Sequence, residues 1–221
     1  MNKLSPTKPL LIMLYGYPGS GKTHFSRQLS EAIGAAHVQS DRVRSELFEQ
    51  PRYDKQENDI VYHLSEYMTT EFLKAGVSVI FDTNAMRLAE RRELRSLATH
   101  SKAQPLLIWI QIDADSALAR LSGRDRRKND DKYAITYDSN SFKNYIGHMQ
   151  NPGPTEEYIV ISGKHHFNTQ KNAIIKRLYE SGLVDTSAIS GNGIVKPGLV
   201  NLIPNPAAGR VDLTRRNITI R

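Results

Sequence analysis

Eight consecutive residues, Gly16-Tyr17-Pro18-Gly19-Ser20-Gly21-Lys22-Thr23, constrain this chain more than any other feature. They fit G-x-x-x-x-G-K-[ST], come directly after the apolar run Pro9 to Tyr15 and open a helical stretch, which is the context that gives the pattern meaning. Glycines let the backbone turn tightly and bring its N–H groups onto phosphate oxygens. The helix N-terminus adds a partial positive charge. Lys22 is a point charge for β- and γ-phosphates, and Thr23 offers a hydroxyl to Mg²⁺. A chance Gly/Ser loop would not come with both the strand and the helix. The expected ligands are therefore ATP and Mg²⁺, with all eight residues as nucleotide contacts.

The rest of the chain supplies a matching scaffold. Short apolar runs at Pro9–Tyr15, Ala36–Ser40, Val77–Phe81, Leu106–Ile112 and Tyr158–Ile161 read as strands. Between them lie helical stripes: Phe25, Leu29, Ile33; Ile60, Val61, Leu64, Met68, Phe72, Leu73; Leu88, Leu94, Leu97; and Ile174, Ile175, Leu178. Asp115 is the expected cap of a short helix from Ser116 to Leu121. Strands alternating with helices predict an α/β sandwich on a mainly parallel sheet. After Asp185 the periodicity ends among Gly191, Gly193, Pro197, Gly198, Pro204, Pro206 and Gly209. Residues 1–185 are thus expected to form one domain and 186–221 a tail, with Leu199–Ile203 and Ile218–Arg221 as docking or edge segments.

Composition narrows the setting. The 221 residues contain no cysteine, which excludes disulfides, thiolate metal sites and a Cys nucleophile, and which is compatible with the cytoplasm. The longest apolar run is far shorter than the ~20 residues a membrane span needs. Lys3 and Lys8 mimic a signal peptide, but the cradle stands where a cleavage site should be. The net charge of +7 is uneven: residues 1–162 hold 21 basic and 20 acidic side chains, residues 163–221 hold 9 and 3. The basic balance therefore belongs to the C-terminal quarter and does not make the whole chain a nucleic-acid binder.

The residues beyond the cradle separate classes of phosphate-cradle protein. A G protein needs Asp-x-x-Gly after its third strand; here Asp82-Thr83-Asn84-Ala85 has no glycine. A hexameric motor ATPase usually places Glu after the strand-ending Asp, and Thr83 stands there instead. A kinase needs no water-activating base, only a group to take the acceptor's proton. Asp41 lies just beyond the second strand, where ligands of open α/β sheets bind. It is the candidate general base, with Arg44 one helical turn on as a bidentate anion contact. An N-cap role for Asp41 and a solvated Arg44 are the alternatives. Asp82 can orient Mg²⁺ through water or touch the acceptor. Arg120, Arg124, Arg126 and Arg127 suit a lid near 120–135 over the transferring phosphoryl group, although Asp125, Asp130 and Asp131 partly offset them.

These residues resemble the P-loop kinases of the polynucleotide 5′-kinase type, with zeta-toxin and chloramphenicol phosphotransferases more distant. The likeness rests on Gly16–Thr23, Asp41-x-x-Arg44, Phe81-Asp82-Thr83-Asn84 and then Glu90-Arg91-Arg92, and Arg120-x-x-x-Arg124, in order across residues 9–165. It implies a five-stranded parallel sheet of order 2-3-1-4-5. It also implies Asp41 as general base, Arg44 on an acceptor phosphate, Arg120 and Arg124 on the donor phosphates, and Asp82 and Asn84 on the acceptor side. Asp113-Ala114-Asp115-Ser116-Ala117 superficially resembles the phosphatase nucleophile motif sometimes fused to such kinases. It ends in Ala and lies inside the sheet, so it reads as a strand end and cap. Arg210, Arg215, Arg216 and Arg221 form either a phosphate-binding arm or a packed or mobile tail without stacking aromatics.

Three functions stay open on the sequence. One is an ATP- and Mg²⁺-dependent kinase acting on a hydroxyl, including the 5′-OH of RNA or DNA. The second is a kinase of a nucleotide, sugar or antibiotic. The third is a nucleotide-dependent switch with no acceptor. The purine preference and oligomeric state are not written in the residues.

Overall fold

The computed structural model describes residues 6–124, 132–133 and 135–184. The expectations for Asp125, Arg126, Arg127, Asp130 and Asp131, and for the tail from 186 with its four arginines, lie outside the described residues.

The strands are β1 (Leu10–Tyr15), β2 (Ala36–Gln39), β3 (Val79–Asn84), β4 (Gln104–Gln111) and β5 (Ile159–Ser162). They form one sheet of order β2-β3-β1-β4-β5 with every pair parallel. The helices are α1 (Lys22–Ile33), α2 (Ser40–Leu47), α3 (Lys55–Lys74), α4 (Leu88–His100), α5 (Ala114–Ser122), α6 (Ser139–Gly147) and α7 (Phe167–Glu180). Central β1 is buried along its whole length, as its unbroken apolar run requires of a strand covered on both faces. Alternation splits its side chains between two cores. Leu10, Ile12 and Leu14 pack with Phe25, Leu29, Ile174 and Leu178 from α1 and α7. Leu11, Met13 and Tyr15 pack with Leu73, Leu94 and Ala98 from α3 and α4. Each large side chain so buried contributes roughly 1.5–3 kcal/mol.

One irregularity shapes the cleft end of the sheet. Met13 pairs with Phe81, but Leu14 pairs with Asn84. Asp82 and Thr83 therefore fall between successive partners of β1, while on the other side of β3 Gln39 pairs with Asp82.

Several sequence expectations are corrected. The cap of α5 is Asp113, whose side chain accepts from the Ser116 N–H; Asp115 lies within the first turn. The N-cap of α2 is Gln39, so Asp41 is not a cap. Helix α3 is turned relative to its apolar stripe. It buries Glu57, Val61, Ser65, Thr69 and Leu73, while Ile60 and Phe72 are exposed. Small Ser65 and Thr69 let the helix approach the sheet, and Glu57 is drawn inward by Arg44. Helix α4 likewise buries a charge, Arg91, which is 1% exposed. Its guanidinium donates to both carboxylate oxygens of Glu156 at 2.8 Å and to the carbonyls of Ala85 and Gln150. Helices α2 and α6 carry no long apolar stripe and are not evident from periodicity.

Candidate active site

The carboxyl ends of the strands open into one cleft of about 1240 Å³. At its floor the loop after β1 turns into α1. Gly19 sits at φ 84°, in the left-handed region, and a Cβ there would run into the carbonyl of Ala117 in α5. A Cβ on Gly16 would come within 2.5 Å of the Ile110 carbonyl of β4. The loop is thus pressed against its neighbours where only glycine fits. Ser20 N–H closes a turn on the Tyr17 carbonyl at 3.0 Å, and Gly21 caps α1 with φ 96°. Lys22 folds back over the loop, donating to the carbonyls of Gly16 at 2.8 Å and Tyr17 at 2.9 Å. Thr23 is in the first turn, on the cleft lining with Pro18.

The topology brings the predicted residues together here. Asp41, in the first turn of α2, and Asp82, at the bulge of β3, line the cleft beside Lys22. Burial, then the Asp82 carboxylate, pushes Asp41 up to about 6, against the pull of Arg44, Arg124 and Lys22. Burial brings Lys22 down to about 8; Asp82 and Asp41 oppose this, and Arg124 adds to it. Asp41, Asp82, Lys22 and Arg124 therefore share one electrostatic neighbourhood. Such displaced acid and base groups in a cleft are characteristic of catalytic sites.

Arg120 and Arg124 stand at the end of α5. Arg120 donates to the Gly163 carbonyl at 3.0 Å and Arg124 to that of Ile135 at 2.9 Å. Both remain on the cleft lining.

Two predicted acceptor-side residues are more engaged than the sequence suggests. Arg44 is 7% exposed. Its Nη1 donates to Glu57 Oε1 and its Nη2 to Asn58 Oδ1 at 2.7 Å, while Tyr53 lies beneath the guanidinium. Only its buried Nε lacks a partner. Asn84 braces the site: its Oδ1 accepts from the Gly16 N–H at 3.3 Å and its Nδ2 donates to the Tyr145 hydroxyl at 3.0 Å.

Sequence reasoning missed His37, whose Nε2 lies 2.9 Å from Asp82 Oδ2. A histidine inside a four-residue strand carries no spacing signal. It also missed Tyr62, Tyr137 and Tyr145, which line the cleft. Tyr137 and Tyr145 meet edge to face at 5.6 Å. The cap Asp138, with Phe142, Tyr145 and Ile146 after it, was the one available hint of α6.

The oxygens present suit a hard cation carried in on a nucleotide. Asp82 has one oxygen committed to His37, and the buried Thr83 hydroxyl has no partner. Among the described residues no cluster of three or more His, Cys, Asp or Glu could hold a metal alone. Mg²⁺ typically takes only one or two protein ligands besides phosphates and water, so Thr23 and Asp82 fit it.

Fold and cleft together define a P-loop nucleotide-binding protein of the kinase type. The family model described as an AAA domain matches residues 11–147, more than half of the chain, and the chain belongs to that family. No curated protein matches it by sequence. Among solved structures it is similar to Chaetomium thermophilum Kti12 in complex with ADP-AlF3, at 16% identity and TM-score 0.60, covering 78% of this chain and 98% of that one. It is also similar to a gluconokinase from Sinorhizobium meliloti 1021, at 13% identity and TM-score 0.55, covering 79% of this chain and 97% of that one. A chain of the Pnkp1/Rnl/Hen1 RNA repair complex matches at 18% identity and TM-score 0.55, over 64% of this chain and 44% of its own length. At these identities the likeness shows the fold. Among the described residues no helix is long and apolar enough to cross a membrane.

Proposed function

We propose that the protein is an ATP- and Mg²⁺-dependent kinase that transfers the γ-phosphoryl group to an acceptor hydroxyl. The carrying observation is the convergence of Asp41 with Lys22 and Arg124 at the mouth of the cradle, with Asp41 poised near neutrality. Lys22 leaves its loop carbonyls to meet the β- and γ-phosphates, and Arg120 and Arg124 meet the charge that spreads over the transferring group. Thr23 and Asp82 would hold Mg²⁺, which would supply charge neutralisation for the donor phosphates. Asp41 accepts the proton of the incoming hydroxyl. Thr83 stands directly after Asp82, where a motor ATPase carries glutamate, so the usual water-activating carboxylate is missing from that position. This favours transfer over hydrolysis and over a switch without an acceptor.

The test is transfer of labelled phosphate from ATP to a panel of alcohols, comparing the native protein with Asp41→Asn. The substitution should slow transfer by ~10²–10⁴ while ATP affinity is retained. Equal rates for the two proteins would refute the assignment.

A further inference from the structure

The helix that carries Asp41 has no apolar anchor. Helix α2 is 8 residues long, and a helix so short keeps its place only through tertiary contacts. Val43 is half-buried and Leu47 is exposed. The residue that α2 buries is Arg44.

Residues 52–58 build a cage for the Arg44 guanidinium. The buried Glu57 carboxylate accepts from Nη1, from the Arg52 N–H at 2.7 Å and from the Tyr53 N–H at 3.3 Å. Asn58 accepts from Nη2 at 2.7 Å, and its own amide donates to the Tyr53 carbonyl at 3.2 Å. The Tyr53 ring lies 4.7 Å beneath the guanidinium carbon. Its backbone stands at φ 58°, in the left-handed region. A bulky L residue adopts that conformation only where its surroundings hold it there. Asp54 caps α3 by accepting from the Glu57 N–H at 2.9 Å, so the cage is part of the first turn of α3.

Arg44 and Asp41 are one helical turn apart and share a face of α2. Pinning the head of Arg44 to α3 therefore sets the rotation of α2 about its axis, and with it where Asp41 meets the cleft. The same cage makes Arg44 a poor ligand for an anion. Both ends of its fork are engaged, and an arriving phosphate would meet the Glu57 carboxylate that already balances it.

We propose that Arg44 is a positioning residue: caged by Tyr53, Glu57 and Asn58, it anchors α2 and aims Asp41 at the acceptor hydroxyl, and it holds no phosphate of the acceptor. This rests on the kinase reading and deepens it. An acceptor then needs no phosphate to be received beside α2.

The test is transfer from labelled ATP to a panel of alcohols that includes glucose, a sugar phosphate, a nucleoside and its 3′-phosphate. Arg44→Met and Glu57→Gln should each lower kcat by about 10²-fold, as a displaced reacting group does, with KM for ATP and acceptor retained. Asn58→Ala, at an exposed position, should act the same way to a smaller degree. In an Asp41→Asn background Arg44→Met should cost nothing further, because it acts through the group already removed. A full additional loss in that background overturns the inference. A phosphate contact predicts a different pattern. Arg44→Met would then raise KM for the phosphorylated acceptors alone, and Glu57→Gln, by freeing Arg44, would lower it. Either result overturns the inference and leaves the kinase reading standing. Hydrogen exchange reads the anchor without any acceptor: in Arg44→Met and in Asn58→Ala the amides of α2 should lose protection, about tenfold in the former, while those of β1 keep theirs. Unchanged protection in α2 overturns the inference. Transfer by the native protein to no alcohol of the panel overturns the kinase reading, and with it the aiming of Asp41, whatever the exchange shows.

Discussion

Asp41 makes the sharpest prediction because its surroundings set both its role and its working range. Its carboxyl is held near 6 by burial and by Asp82, against the cations Arg44, Arg124 and Lys22. A base must be ionised to accept a proton. With a value of about 6 it is about 90% ionised at about pH 7 and about 10% at about pH 5. Between those conditions kcat/KM for transfer should fall about tenfold, along a single-proton limb. An ordinary aspartate near 3.9 would lose only about a tenth of its ionisation over the same interval. Asp41→Asn should both slow transfer and abolish the limb, because the group that titrates is gone. The assay is initial-rate transfer from labelled ATP at limiting ATP and Mg²⁺ across the acid range, so that kcat/KM reports the free protein. Asp41 can also be followed directly by carboxyl NMR. A flat profile above about pH 5, or the same limb surviving in Asp41→Asn, would refute the reasoning.

Other consequences can be checked independently. Lys22 is brought down to about 8 by burial, so at about pH 9 the free protein holds it largely neutral, and phosphates should raise it again. ATP binding there should take up a proton and weaken as pH rises further; calorimetry in buffers of differing ionisation enthalpy measures the uptake. Gly19→Ala places a Cβ against the Ala117 carbonyl and should both abolish nucleotide binding and lower the melting temperature, read by calorimetry and thermal unfolding. Glu156→Gln strips buried Arg91 of its charge partner and should cost about 3–5 kcal/mol in denaturant unfolding. Hydrogen bonds from Arg91 hold Glu156 at about 2, below its ordinary 4.5. The stability this pair gives is therefore fully present above about 4.5 and lost as pH falls through about 2.

The readable parts of the fold were those governed by continuous apolar burial. The run around Ile12 could only be a covered strand, and the cradle could only be glycine-rich, so the sheet and the donor site follow from the residues. Charges turned inward were not readable. Glu57 and Arg91 look like surface residues of amphipathic helices, yet each neutralises a distant partner, Arg44 or Glu156, that no periodicity connects to it. The β2–β3 side of the cleft depends on such partnerships. Asp41 was placed by its position after β2, but its neighbour Asp82 is aimed by the bulge in β3 and by His37 across the strand gap. Tyr145 reaches the site only because α6 folds back to meet Asn84.

The steric stops beneath the cradle have a thermodynamic consequence. Gly16 bears on Ile110, Gly19 on Ala117, and Gly163 on the Ser20 carbonyl, which ties the loop to β4, α5 and the turn after β5. None of these contacts can loosen without disturbing elements that belong to the core, so loop and sheet form one cooperative unit. A nucleotide gripped by that loop is then felt by the whole domain. The free energy of binding appears undiminished as resistance to unfolding, rising by about 1.4 kcal/mol for each tenfold increase of ligand above its dissociation constant. For this architecture the melting temperature is itself a titration of the site.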